Sequence, residues 1–177
     1  MNQEAQAVPP FEQRLRDFLA SRGSDPDAMS AMFLLFRVNT DTIAAMEAAA
    51  LRPLALTHAG FVLLMTLWTT GPQETRQLAK VQRVSRPSIV SSVNTLERAG
   101  LVRRVRSAVD RRLVSVELTA DGERMIEQAQ KSWHEHERRI AGVLTLDEQC
   151  QLAAMLRRLD AAALLGCVAT PHAEARS

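Results

Sequence analysis

The chain has 177 residues, 46% of them hydrophobic, and a formal net charge of only +2. This length suits one sizeable core, or a small domain with an association region. The longest apolar run, residues 61–65, is far too short to span a bilayer, and the polar, acidic N-terminal segment does not resemble a secretion signal. We therefore expect a cytoplasmic protein. Its two cysteines, Cys150 and Cys167, encode neither a disulfide framework nor a zinc site.

The small net charge hides an uneven distribution of charged residues. Residues 71–118 contain ten basic and four acidic residues, so this block carries +6 and the remainder of the chain −4. A positive block within an otherwise acidic chain is typical of a module that binds a polyanion such as nucleic acid.

The first half of the chain has a helical pattern. Apolar residues at mostly three- and four-residue spacing predict a long amphipathic helix over residues 29–51. A largely buried helix is expected next, with Thr57 as its N-cap and Gly71 and Pro72 as its stop.

Two short helices are predicted within the basic block. Thr75 is a possible N-cap of the first, and Ser85 of the second, which has Pro87 in its first turn and Gly100 at its end. The helices meet around Arg83, through a connection of only a few residues.

A hairpin and two further helices complete the pattern. Residues 101–106 and 112–118 read as strands because apolar and polar residues alternate in the second of them, and residues 107–111 form the tip. Thr119 is expected to cap a long helix to about residue 140. Thr145 and Glu148 form a capping box that opens a last helix to about residue 165.

The helix over residues 86–98 offers a polar surface. If Ile89, Val93 and Leu96 are buried, its opposite face is slim, polar and nearly free of acidic residues. Short hydroxyl and amide side chains allow a helix to enter the major groove of DNA, and Arg86 can reach guanine. The alternative is an ordinary solvated helix face, and the arginine-rich hairpin beside it favours DNA.

Residues 75–122 resemble the winged helix-turn-helix core of the MarR family of bacterial transcriptional regulators. Asp110 and Arg112 match the D-x-R motif of that family's wing, and residues 118–122 match its L-T-x-x-G junction between strand and helix. Residues 85–100 are similar to its recognition helix. Arg83 departs from the pattern, because many helix-turn-helix sequences have glycine there, so we do not expect a standard turn.

The resemblance implies a mainly α (α+β) fold with a winged helix-turn-helix core and dimerisation helices at both ends. Residues 1–54 would form N-terminal helices for dimerisation and a pocket wall, residues 55–119 the DNA-binding core, residues 120–166 the C-terminal dimerisation helices and residues 167–177 a flexible tail. The implied function is a sequence-specific regulator, more often a repressor, which binds a pseudo-palindromic site in double-stranded DNA as a homodimer.

The same resemblance implies site residues. Arg112 would enter the minor groove while Asp110 pairs with a nearby arginine and shapes the wing. Arg103, Arg104 and Arg106 would contact the DNA backbone or form ion pairs within the protein. The full set of expected DNA contacts is Ser85, Arg86, Ser88, Ser91, Asn94, Thr95, Arg103, Arg106, Asp110, Arg111 and Arg112.

Family members often respond to small aromatic or phenolic acids, so a small-molecule effector is expected as a second partner. The candidates for its site, which would combine an apolar wall with a polar or cationic group, are Arg37, His58, Met65, Trp68 and Arg104. His58 and Trp68 have capping or core roles as alternatives. Amphipathic stripes at both chain ends predict dimer contacts by Phe11, Leu15, Phe18, Leu152, Met155, Leu156 and Leu159.

Four other functions have less support in the sequence. No catalytic motif is present, so we expect no enzyme and no cofactor. A metal sensor would use His134 and His136, whose two-residue spacing separates them on a helix. A thiol switch would need a reactive cysteine near the N-terminal helix, whereas Cys150 and Cys167 lie late in the chain. A winged domain that binds proteins would show an apolar or aromatic centre.

Overall fold

The computed structural model describes residues 9–106 and 114–164. Within these ranges seven α-helices and three short strands follow one another, with two irregular helical turns between α2 and α3. The elements are α1 Pro10–Ala20, α2 Pro26–Met46, α3 His58–Thr70, β1 Gln73–Glu74, α4 Thr75–Gln82, α5 Arg86–Arg98, β2 Val102–Arg106, β3 Val114–Leu118, α6 Ala120–Ala141 and α7 Leu146–Leu164. The chain divides into two compact units, residues 1–132 and 133–177.

The long helix predicted over residues 29–51 is regular only in part. α2 begins earlier, at Pro26, because the Asp25 carboxylate caps its first turn. The helix then loosens into a π-helical turn over Glu47–Leu51 and tightens into a 3-10 turn over Arg52–Leu54. Ala55 takes a left-handed conformation with φ 54° and ends the segment. Proline at position 53 lacks the backbone N–H that a continuing α-helix would need.

α3 is the central helix of the first unit. The Thr57 hydroxyl caps its first turn by accepting a hydrogen bond from Gly60 N at 3.1 Å. Gly71 follows the helix with φ 74°, a conformation that glycine adopts without strain, and it ends the helix as predicted. Leu63 and Leu64 are fully buried, which confirms the prediction of a largely buried helix.

No single helix in the described ranges is both long and apolar enough to cross a bilayer. The segments 26–54 and 58–70, which bend by 74° between them, reach that length and composition only as a pair.

The start of α4 differs from the prediction. Thr75 is the first residue of the helix and not its N-cap, a position that Glu74 occupies without a side-chain cap. Glu74 and Gln73 form β1, which pairs with β3 and holds this end of the helix in place. β1 is not predictable from the sequence because two residues are too few to show an alternating pattern.

The three strands form an antiparallel sheet in the order β1-β3-β2. β2 and β3 are the predicted hairpin strands, with Val102 opposite Leu118 and Arg106 opposite Val114. Val102 and Val116 are buried and fasten the sheet to the helices. The first unit is therefore a helix-turn-helix followed by a β-hairpin, the architecture of a winged helix-turn-helix.

The core of the first unit joins the helices to the sheet. α3 packs against α4, α5 and β3, and α5 also packs against β2. Its largest fully buried side chains are Leu51, Leu63, Leu64, Leu78, Ile89, Val93, Val102, Val116 and Ile126. The stripe predicted on α5 is thus confirmed, since Ile89 and Val93 are in this set and Leu96 is only 3% exposed.

Thr119 joins the hairpin to α6. Its backbone N–H donates to the Leu101 carbonyl at 3.1 Å, and its hydroxyl donates to the Gly100 carbonyl at 2.7 Å. The same hydroxyl accepts from Gly122 N at 3.0 Å, which makes Thr119 the predicted cap of the helix. Gly122 lies so close to the Leu101 carbonyl that an added Cβ would be 2.0 Å from its oxygen.

The second unit contains the end of α6 and the whole of α7. The predicted capping box is present: Glu148 N donates to the Thr145 hydroxyl at 3.3 Å, and Thr145 N donates to the Glu148 carboxylate at 2.7 Å. The bond from the Thr145 backbone, followed by that from its side chain, lowers the pKa of Glu148 below its ordinary value. α7 has exposed apolar side chains at Leu152, Met155, Leu156 and Leu159.

We expect Gly122→Ala to destabilise the protein by about 2 kcal/mol, because the new methyl group would overlap a backbone carbonyl that cannot move cheaply. Gly60→Ala is the matched control. Gly60 also follows a threonine cap by three residues, but its added Cβ would meet only side-chain atoms, the nearest at 3.4 Å. Urea unfolding of the two variants measures the difference, and equal stabilities would contradict the proposed role of the close approach.

Candidate nucleic-acid interface

α4 and α5 form a helix-turn-helix whose turn depends on Arg83. This residue takes the left-handed conformation, with φ 53° and ψ 39°. Val84 N then donates to the Ala79 carbonyl at 3.1 Å, which closes the end of α4. The expectation of a non-standard turn is therefore wrong: arginine adopts here the conformation that glycine adopts most easily.

The N-terminus of α5 has an ordered pair of serines. Ser85 is the N-cap, as predicted, and its hydroxyl accepts from Ser88 N at 3.3 Å. The two serine hydroxyls are also 2.8 Å apart. Both residues and the neighbouring Arg86 are exposed, so the first turn of α5 offers hydroxyl groups and one guanidinium to a ligand.

The outward face of α5 continues through Ser91, Asn94 and Thr95. Ser91 and Thr95 are exposed and Asn94 is half-buried. The Thr95 hydroxyl donates to the Ser91 carbonyl at 3.1 Å. The six residues expected to serve the major groove thus lie together along α5, which is anchored from behind by Ile89, Val93 and Leu96.

Arg104 on β2 reaches this helix. Its Nη2 donates to Oδ1 of Asn94 at 2.7 Å, and its Nη1 forms an ion pair with the Glu97 carboxylate. This connection between strand and helix was not among the contacts predicted from the sequence. The opposite charges of Glu97 and Arg104 on either side of the Gly100 turn were the only available signal.

Ion pairs neutralise part of the positive charge of the basic block. Arg103 pairs with Glu117 at 2.6 Å, and Arg76 with Glu74 at 2.8 Å, besides the pair of Arg104 with Glu97. These are the described acidic residues of the block, each facing one arginine. Lys80, Arg86, Arg98 and Arg106 are the basic residues that contribute most directly to its positive excess among the described residues.

The tip of the hairpin lies outside the described residues. The expected wing contacts of Asp110, Arg111 and Arg112 fall there and stay predictions. The described strands on either side of it pair from Val102 opposite Leu118 to Arg106 opposite Val114.

Four of the expected effector residues lie on α2 and α3. Met65 follows His58 by two turns of α3, so both lie on one face, and Trp68 is close to it. Trp68 is 44% exposed, which excludes the alternative that it is a core residue. The Arg37 guanidinium lies 5.6 Å over the Phe33 ring. Arg104, the fifth candidate, is engaged with α5 as described above.

A small pocket of about 210 Å³ lies between the start of α3 and α5. Ala55, Leu56, Thr57 and Gly60 line it from the start of α3, and Ser91, Ser92, Thr95 and Leu96 from α5. The sequence pattern gave no indication of this pocket, because its two walls are separated by some 30 residues of chain.

Comparisons with known proteins assign the family. The model of the MarR family matches residues 56–114. The chain is also 31% identical over 133 residues to the uncharacterized HTH-type transcriptional regulator YwaE of Bacillus subtilis, covering 75% of this chain and 78% of that protein. The chain belongs to the MarR family. As a member it is a DNA-binding transcriptional regulator and not an enzyme.

Solved structures agree with this assignment. The fold is similar to that of a mutant MarR from Escherichia coli complexed with operator DNA, with 25% identity, a TM-score of 0.70, and coverage of 77% of this chain and 99% of that one. A probable transcriptional regulator from Pseudomonas aeruginosa shares 28% identity with a TM-score of 0.66, over 72% and 94% of the two chains. The winged helix-turn-helix fold of this MarR family member is thereby confirmed.

The residues weighed for metal and redox sensing lie in the second unit. His134 Nδ1 lies 3.4 Å from the Glu137 carboxylate on an exposed face of α6. No group of three potential metal ligands occurs within residues 9–106 and 114–164. Cys150 is exposed on α7, and Cys167 lies outside the described residues.

We expect Arg83→Gly to be more stable than Arg83→Ala by about 1 kcal/mol, because a β-carbon is disfavoured in the left-handed region. The alanine variant controls for the loss of the arginine side chain, so the comparison isolates the backbone. Thermal unfolding of both proteins measures the difference. If alanine were as stable as glycine, the turn would not have the left-handed geometry.

Proposed function

We propose that this protein binds a specific double-stranded DNA site by inserting α5 into the major groove and the hairpin tip into the adjacent minor groove. The observation that carries the proposal is the outward face of α5. It combines Ser85, Arg86, Ser88, Ser91 and Thr95 with no acidic side chain, and the buried stripe on the opposite side holds it in a fixed orientation.

Different residues would supply affinity and selectivity. Short side chains on α5 would make hydrogen bonds to phosphates and base edges, while Arg112 would enter the minor groove. Asp110 and Arg111 would shape or extend the wing, and Arg106 would contact the backbone. Because Arg103 is paired with Glu117, its phosphate contact would require exchange of that ion pair.

Binding can be tested on DNA from upstream of the protein's own gene, against a shuffled duplex, by fluorescence anisotropy at several salt concentrations. We expect preference for the native duplex and affinity that falls with salt. Arg112→Ala is expected to reduce the slope of log affinity against log salt by about 1, since one phosphate contact or groove cation is lost.

Arg138→Ala on α6 is the control for this experiment, because it removes an exposed arginine that lies outside the basic block. It should leave the salt slope unchanged. Absence of binding to any duplex at low salt would overturn the DNA proposal and favour a winged module that binds other proteins.

We also propose a homodimer built from the helices at both ends, with residues 1–54 and 120–166 as its association regions. Apolar side chains exposed on these helices support it. Phe11 and Phe18 on α1 are 59% and 54% exposed, and the four apolar residues of the α7 stripe are between 38% and 51% exposed. Exposed apolar stripes of this kind are usual at association surfaces. Leu15, between the two phenylalanines, is half-buried.

A double substitution, Met155→Asp with Leu159→Asp, is expected to convert the dimer into a monomer, because two carboxylates would replace apolar contacts on one face of α7. The control is Arg157→Asp, which alters charge on the opposite face of the same helix. Analytical ultracentrifugation measures the mass. A wild-type monomer, or a double variant that still sediments as a dimer, would contradict the proposal.

Repression relieved by a small aromatic or phenolic acid is the regulatory mode that we propose. His58, Met65 and Trp68 on α3 would provide the apolar wall and Arg37 the cation for a carboxylate. Release of DNA requires that the acid bind one conformation of the dimer more tightly than another, and that the two conformations differ in the spacing of their two α5 helices.

A further inference from the structure

The hydrogen bond between Arg104 and Asn94 determines how the Asn94 amide is oriented. Nη2 of Arg104 lies 2.7 Å from the amide oxygen. A guanidinium group carries only hydrogen-bond donors, so the amide atom beside it must be the oxygen and not the nitrogen. The orientation therefore follows from the chemistry of the pair, and a flipped amide would place two donors against each other.

The Glu97 carboxylate holds Arg104 in this position. It pairs with Nη1 while Nη2 faces Asn94, so the two halves of one guanidinium bind two residues that are three positions apart on α5. Arg104 and Glu97 are each only about one-third exposed in their side chains. The pair also neutralises the arginine, which reduces its attraction for phosphate.

The amide nitrogen of Asn94 is left as a donor. Asn94 follows the buried Val93, so it is turned by about 100 degrees from the core side of α5 toward the outward face. Among residues 9–106 and 114–164, no group accepts a hydrogen bond from this nitrogen. The side chain is half-buried and retains access to solvent.

We propose that Arg104 makes Asn94 a donor-only reader of DNA that selects guanine over adenine at one position of the operator. This inference rests on the proposed insertion of α5 into the major groove. Guanine presents two acceptors there, N7 and O6, whereas adenine presents an acceptor beside a donor. An asparagine that is free to turn pairs with adenine through both amide atoms, but here the oxygen is held by Arg104.

The proposal assigns distinct roles to the two residues. Asn94 touches the base, and Arg104 is a positioning residue that acts through Asn94. Removal of either one should alter the preferred base at the same operator position, and their effects should not add. A purely structural arginine, or one that binds phosphate, would change affinity for all sequences alike.

The test is selection of bound duplexes from a randomised library by the full-length protein and its variants. The wild type is expected to prefer guanine at one position by about fivefold, the value of one hydrogen bond. Asn94→Ala should lose this preference. Arg104→Met should shift it to adenine, because the amide can then turn, and the double variant should behave as Asn94→Ala does.

Arg103→Met is the matched control. Arg103 is the neighbouring residue on β2 and is also paired with a glutamate, but that glutamate is on β3 and not on α5. The substitution removes the same charge and should change affinity by one factor for all duplexes, with no shift in base preference. Arg104→Lys retains a donor for the amide oxygen and should keep the guanine preference.

One further variant guards against a folding defect in Arg104→Met. Asn94→Asp keeps an oxygen for Arg104 but lacks the amino group, so the guanine preference should disappear in a protein with wild-type unfolding behaviour. Retention of guanine by Asn94→Asp, or a uniform effect of Arg104→Met like that of Arg103→Met, would overturn the inference. Selection of no motif at all by the wild type would instead overturn the proposed function.

Discussion

The hydrogen bonds of Thr119 are the constraint on which the DNA-binding half of the molecule depends. This one residue bonds to the carbonyl groups of Gly100 and Leu101, where α5 ends and the hairpin begins, and it caps α6. The direction in which α5 leaves the core is therefore coupled to the direction of the hairpin. Gly122 completes the junction, because only a residue without a β-carbon allows α6 to approach Leu101 this closely. The L-T-x-x-G motif is therefore required for α6 to pack against the end of α5 and the start of the hairpin.

A second connection, through Arg104 on β2, joins the hairpin to α5. The buried stripe of α5 fixes which face of the helix turns outward, and Arg104 fixes one polar group on that face. Such ordering has a cost, since Arg76, Arg103 and Arg104 of the basic block are committed to ion pairs. These three arginines contribute less to the electrostatic field that attracts DNA, and they serve mainly to fix geometry.

Local signals in the sequence were sufficient for most of the fold. Thr57, Ser85, Thr119 and Thr145 were predicted as caps, and each is one, because a cap depends only on residues three positions away. The prediction that Thr75 is an N-cap was wrong because the start of α4 is set by β1, whose partner strand β3 lies some 40 residues further along the chain. The contact of Arg104 with Asn94 was missed for the same reason, as it depends on how β2 packs against α5.

The candidate site shows where prediction from sequence ends. Residue types along α5 indicated a polar face suited to a groove, and the charge block indicated a polyanion. Neither could indicate whether a given amide offers its nitrogen or its oxygen, because that depends on a strand that follows the helix. Affinity in such a protein comes mainly from many cations and is therefore sensitive to salt. Base preference comes from a few short side chains with fixed orientation, so it should persist when salt weakens the complex.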